Sequence, residues 1–176
     1  GEDQRQHLEL MRDVALRFNQ RYRETFVVPE AAIPRVGARI VDLQVPEKKM
    51  STTGGTEQGT LLMLDPPSRL RKKIMAAVTD SGSEVRADRD AKPGVTGLLE
   101  MLSAVGGEPV PALEARYDGQ GYGAFKRDVA EAVIAFLEPV QERYATYVAD
   151  PAELLRVLHR SAERARATAV PPLAAA

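Results

Sequence analysis

Val129, Val133, Phe136, Leu137, Val140, Tyr144 and Tyr147 follow a helical stripe for about five turns, the longest periodic signal in the chain. A strand changes face at every second residue and cannot keep such a stripe on one side. This region is therefore committed to helix. Asp150-Pro151 supplies a cap and a proline at the first position of a last helix, whose apolar side holds Leu154, Leu158, Ala162 and Ala165. The tail AVPPLAAA, residues 169–176, is expected to fray.

The same periodicity places an amphipathic helix at about residues 2–20, with Leu8, Met11, Ala15 and Phe18 on one face. TFVVPE (25–30) reads as a short strand stopped by Pro29, and ARIVDLQVP (38–46) as a short extended segment. Asp65 before Pro66 reads as the cap of a helix with Leu70, Ile74, Ala77 and Val78 as its buried stripe. Residues 79–94 are polar and aperiodic, hence a loop. Pro93 and Gly94 open a helix at about 95–105, GGEP breaks it, and a short helix follows near 111–117. The expected architecture is mainly α: a helix with short extended segments to about residue 64, then a bundle of four or five helices over 65–168.

Composition narrows the chemistry. The chain has no cysteine, so disulfides, thiolate zinc sites and cysteine nucleophiles are excluded. Its two histidines, His7 and His159, lie in separate helices outside any metal-binding spacing, and no protein-bound metal is expected. The net charge of −1 argues against a general polyanion coat but allows local basic patches. No apolar run is long enough to span a bilayer. The chain starts at Gly1 inside a charged helical pattern, which reads as a fragment or processed piece.

Four stretches have functional potential. Gly1-Glu2-Asp3-Gln4 fits a helix cap, and equally a contact to a hydroxylated ligand. PEKKMSTTGGTEQGT (46–60) offers the charges of Lys48 and Lys49, the hydroxyls of Ser51, Thr52 and Thr53, and the flexible Gly54-Gly55. It suits an anion cradle and a solvated turn alike, and it does not have P-loop spacing. Residues 68–92 hold seven basic and four acidic side chains, suiting RNA phosphates or a plain solvated helix face. YDGQGYGAFK (117–126) suits either base stacking or a tight turn with its aromatics tucked inward.

Taken together, GEDQRQHLELMRDVALRFN, FVVPEAAIPRVGARIVDLQVPEKKMS, KKIMAAVTDS, AKPGVTGLL and YDGQGYGAFKRDVAEAV resemble, in order and spacing, the C-terminal half of bacterial tryptophanyl-tRNA synthetases. The resemblance implies the end of a Rossmann-type α/β catalytic domain over residues 1–64, followed by a helical anticodon-side domain over 65–168. It implies a cytoplasmic homodimer that uses tryptophan, ATP with Mg2+, and tRNA(Trp). By the same resemblance Gln4 meets the amino-acid head group, Gly1 and Asp3 lie beside the ATP ribose, and Ile40 and Met50 flank adenine. Lys49, Met50 and Ser51 match the start of a Lys-Met-Ser-Lys-Ser loop, so catalytic roles fall on Lys49, Ser51 and Thr52. The helical domain raises the RNA reading of Arg69, Arg71, Lys72 and Lys73.

Two departures stand against the family pattern. The half carrying the His-x-Gly-His motif is not in this chain, so adenylation by the chain alone is not expected. Thr52 and Thr53 stand where the family loop ends in Lys-Ser. Both departures leave a second reading open, a non-catalytic RNA-binding or regulatory module derived from a synthetase.

Overall fold

The computed structural model describes residues 4–33 and 39–175. Six helices stand among them: α1 (Arg5–Arg21), α2 (Pro67–Met75), α3 (Pro93–Gly106), α4 (Val110–Arg116), α5 (Gly121–Ala149) and α6 (Pro151–Ala175). The mainly helical expectation holds, and the extended pairing among the described residues is a single antiparallel bridge between Val41 and Lys49. The chain forms two compact units, Pro34–Glu142 and a second made of Gly1–Ile33 with Arg143–Ala176.

The first unit carries the core. Leu70 and Ile74 of α2, Val95, Leu98, Leu99 and Leu102 of α3, Leu113 of α4, and Phe125, Val129, Val133 and Leu137 of α5 pack with Leu43 and Val85. Residues from α2, α3 and α5 share this cluster because each presents apolar side chains at three- and four-residue spacing. The α5 stripe is narrower than its sequence suggests: Phe136 is 52% exposed, because the buried row runs through 129, 133 and 137. Gly107, at φ 76°, ends α3 in the left-handed conformation that a glycine adopts without a Cβ penalty. Tyr117 and Phe125 are buried and meet edge to face at 5.1 Å, and the Tyr117 hydroxyl donates to Asp128 at 2.7 Å. The 117–126 stretch is thus a tight turn with these two aromatics in the core, unavailable for base stacking.

Residues 79–92 form a loop, as expected, and a three-residue clip holds it. The Tyr122 hydroxyl donates to Asp80 at 2.7 Å, Lys92 Nζ donates to Tyr122 at 3.0 Å, and the Gly82 amide donates to Asp80 at 2.7 Å. The Tyr122 bond, with the Gly82 amide and Lys92, holds the Asp80 carboxyl below its ordinary range against the pull of burial. Its hydrogen bond to Tyr122, aided by Asp80, raises the Lys92 ammonium; burial, then Asp80, raises the Tyr122 phenol. The Asp80 contribution is therefore complete above about pH 4 and lost as pH falls through its depressed value. The Lys92 and Tyr122 contributions are complete below about pH 10 and lost as pH rises through their elevated values. Tyr122→Phe is expected to flatten both limbs of melting temperature against pH, measured between about pH 3 and about pH 11.

The second unit departs further from expectation. Residues 25–30 form no strand. The Asn19 side chain takes their hydrogen bonds, accepting from the Thr25 and Phe26 amides at 3.0 Å each and donating to the Phe26 carbonyl at 2.7 Å. Phe26 then packs edge to face on Phe18 at 4.8 Å. Within this unit Ala15 is the buried residue of α1, and Met11 of the expected stripe is 61% exposed. In the tail, α6 continues through Pro171 and Pro172 to Ala175, whose carbonyl accepts hydrogen bonds from the Arg23 guanidinium. Asp150 caps α6 as expected, accepting from the Ala152 and Glu153 amides at 3.0 and 3.1 Å.

Candidate functional site

The loop 46–60 is rooted in the first unit by backbone bonds and one buried carboxylate. The Asp42 amide donates to the Lys48 carbonyl, and the Met50 amide to the Ile40 carbonyl, both at 2.9 Å. Asp42 is buried, and its Oδ1 accepts from the Gln44 and Val45 amides at 2.8 and 3.0 Å. That turn carries Lys48 and Lys49 into solvent, while Ile40 and Met50 stay half-buried against the core. The Leu61 amide donates to the Met50 thioether at 3.4 Å, closing the loop's far end.

Beyond Met50 the chain folds onto itself. Ser51 Oγ accepts from the Thr53 and Gly54 amides at 3.3 and 3.2 Å. The Ser51 carbonyl accepts from the Gly55 amide and from Thr60 Oγ1, both at 3.1 Å. The amides of Gly54 and Gly55 are therefore used inside the loop. Ser51, Thr52, Gly55, Thr56, Glu57, Thr60, Leu62 and Lys73 line a recess of about 140 Å³. The Leu43 amide bonds the Gly59 carbonyl at 3.0 Å, bringing Gly59 so close that a Cβ there would lie 1.9 Å from Asp42 Oδ1. Gly59→Ala must displace the carboxylate that shapes the lysine turn. It is expected to cost about 1–3 kcal/mol in chemical denaturation. Gly54→Ala, whose added carbon would meet nothing nearer than 3.9 Å, is the matched control.

Ile40, Lys49, Met50, Ser51 and Thr52 thus come together in one loop and its root. Gln4 belongs to the other unit, where it lines a recess with Arg5, His7, Leu8, Met11, Ala32 and Ile33. It holds the cap position of α1 without a side-chain cap bond. Gly1 and Asp3 lie outside the described residues.

The basic stretch is largely neutralised within the chain. Arg69 pairs with Glu57 and lies 3.6 Å from Asp65. Arg71 makes a two-pronged contact to Glu131 at 2.9 and 3.0 Å, and Lys72 is exposed. Lys73 departs from the expected surface patch: it is 2% exposed and gives its ammonium to Asp65 at 2.6 Å and to the Thr60 carbonyl at 2.7 Å. Asp65 also departs from its expected role. It does not cap α2, whose cap position is Pro66, but accepts from Lys73 and the Leu62 amide. Burial opposes the Asp65 charge, yet Lys73, the Leu62 amide and Arg69 together keep the carboxyl below its ordinary range.

Asp42, Thr60, Asp65 and Lys73 were not singled out for the loop from sequence. A signal did exist for Lys73: positions 70, 73, 74 and 77 follow inward helical spacing. Among the described residues no cluster of three or more His, Asp or Glu side chains is placed to hold a metal. No helix there is long and apolar enough to cross a membrane.

The family model described as tRNA synthetases class I (W and Y) matches residues 1–138, and the chain belongs to that family. Among curated relatives, it is 48% identical over 169 residues to the tryptophan–tRNA ligase of Bacillus subtilis, covering 96% of this chain and 51% of the relative. It is 52% identical over 165 residues to that of Leifsonia xyli, covering 94% and 49%. Tryptophan–tRNA ligase 1 of Streptomyces avermitilis is 49% identical over the whole chain and 53% of its own length. A crystal structure of tryptophanyl-tRNA synthetase from Mycoplasma pneumoniae superposes with a TM-score of 0.88 at 32% identity, over 99% of this chain and 54% of that one. The chain spans about half the length of the curated relatives it matches.

Proposed function

We propose that this chain is the C-terminal half of a tryptophan–tRNA ligase and supplies the loop that closes on ATP during tryptophan activation. In that reaction the tryptophan carboxylate attacks the ATP α-phosphorus, giving tryptophanyl-adenylate and pyrophosphate, and the acyl group then passes to tRNA(Trp). Lys49 brings positive charge to the leaving pyrophosphate, where negative charge grows in the transition state. Ile40 and Met50 face adenine, Ser51 and Thr52 offer hydroxyl donors to the phosphates, Gly1 and Asp3 meet the ribose, and Gln4 meets the amino-acid head group. Magnesium enters with ATP as part of the substrate. Residues 65–168 serve as the anticodon-side domain of a cytoplasmic homodimer, where Lys72 is exposed and Arg69 and Arg71 would reach RNA only by exchanging their glutamate partners.

What carries the reading is the loop itself: Lys49, Met50 and Ser51 sit on a built turn in a chain of nearly 50% identity to ligases throughout. The intramolecular pairing of Arg69 and Arg71 lends nothing to a free-standing RNA module. The test is a fusion of the N-terminal half of the B. subtilis relative to this chain, assayed for tryptophan-dependent ATP–pyrophosphate exchange with magnesium. Exchange that Lys49→Ala reduces supports the proposal. A folded fusion with no exchange at saturating tryptophan overturns it.

A further inference from the structure

Lys73 is the one lysine the family resemblance placed on an RNA-facing patch that the fold instead buries. Its ammonium has two acceptors, and they belong to different kinds of structure. Asp65 precedes α2, on which Lys73 itself stands, so that bond closes a local ring. Thr60 is the last residue of the 46–60 loop, so the bond to its carbonyl joins the helix to the loop. From Thr60 the connection continues: its hydroxyl donates to the Ser51 carbonyl, which the Gly55 amide also engages. Lys73 and Thr52 line the same recess.

We propose that Lys73 is a positioning residue for the ATP-facing loop, holding the Thr60 carbonyl so that Thr60 fixes Ser51 and with it the orientation of Thr52. Asp65 neutralises the ammonium and lets it stay buried. Ion pairs of this kind are expensive to desolvate, and apolar replacements of similar volume frequently fold as well. What an apolar pair cannot do is hold a carbonyl oxygen at a fixed point. Through this link a stable helix helps set the resting position of a segment whose other ties outside itself are the Leu43–Gly59 backbone bond and the exposed Arg69–Glu57 pair.

This inference rests on the ATP reading of the loop for its catalytic part alone. Its structural part is tested in this chain without nucleotide. In Lys73→Met/Asp65→Asn both charges leave together, so no unpaired charge is buried, and the asparagine still accepts from the Leu62 amide. Amide hydrogen exchange at Gly55 and Thr60 is expected to quicken by about tenfold or more, with melting close to that of the parent. In the fusion enzyme the same double change is expected to lower kcat for pyrophosphate exchange by about tenfold and to leave the tryptophan KM unchanged. Parent-like exchange at Gly55 and Thr60 in the double variant overturns the proposal. A loosened loop with parent-like kcat overturns its catalytic part. Should the parent fusion show no pyrophosphate exchange, the proposed function fails while the amide data still decide whether Lys73 holds the loop.

Discussion

Replacing Lys73 alone with methionine is expected to destabilise the unit Pro34–Glu142 by about 3–5 kcal/mol, the largest effect of any single change at the loop. The variant leaves the Asp65 carboxylate, 4% exposed, with the half-exposed Arg69 at 3.6 Å as its remaining cation in place of the buried Lys73. The second loss is the donor to the Thr60 carbonyl. Urea denaturation measures it as a lower midpoint with an unchanged slope. The double change with Asp65→Asn is expected to recover most of the loss, which makes the coupling between the two positions large. The pH dependence has a fixed sign. In the parent the Asp65 carboxyl titrates below its ordinary range, so its contribution is complete above about pH 4 and lost as pH falls through the depressed value. In Lys73→Met burial is opposed by the Leu62 amide and Arg69 alone, so the carboxyl is expected to rise and part of the cost of its charge to vanish on protonation. The gap between parent and variant should therefore narrow on acidification. A gap that stays constant with pH would locate the damage in packing rather than in the unpaired charge.

Thr52→Lys is expected to raise kcat for pyrophosphate exchange in the fusion enzyme by roughly thirtyfold, equivalent to about 2 kcal/mol of transition-state stabilisation. Thr52 is exposed at the edge of the recess beside Ser51, so a longer side chain can extend into solvent. Its hydroxyl offers a neutral donor where an ammonium would make a charge-assisted contact of about twice the strength. The effect belongs in kcat because the charge it answers develops on the leaving group. The ATP KM should move less. Lys48 and Lys49 already stand exposed on the adjoining turn, and if they supply all the charge the reaction uses, kcat will not change. That result would refute a charge deficit at position 52.

Periodicity located α2 and α5 because each buries a stripe that local spacing alone reveals, and proline and glycine punctuation located α3 and α4. The misread elements have a common cause, which is a distant or side-chain partner for the backbone. Residues 25–30 carry strand composition, yet Asn19 satisfies their amides from the preceding helix. A chain terminus reads as loose from sequence, yet α6 continues to Ala175 and Arg23 engages its carbonyl. The position and the first three letters of the Lys-Met-Ser loop were legible from resemblance. Its anchoring was not, since Asp42 meets Gly59 and Lys73 meets Thr60 across gaps of many residues. Composition assigned Lys73 to the surface because lysines are seldom buried unpaired, and it could not supply Asp65 as the partner.

The pairing of Arg71 with Glu131 and of Arg69 with Glu57 bears on how salt would act on RNA binding. A phosphate reaching a bare cation frees the counterions condensed around the nucleic acid. A phosphate reaching Arg71 must first evict Glu131, and the released carboxylate gathers cations of its own from solution. The ions gained at the glutamate offset those shed by the RNA. Binding through this face would therefore weaken less steeply with added salt than its number of arginines implies, and a shallow slope would count contacts exchanged, not contacts missing.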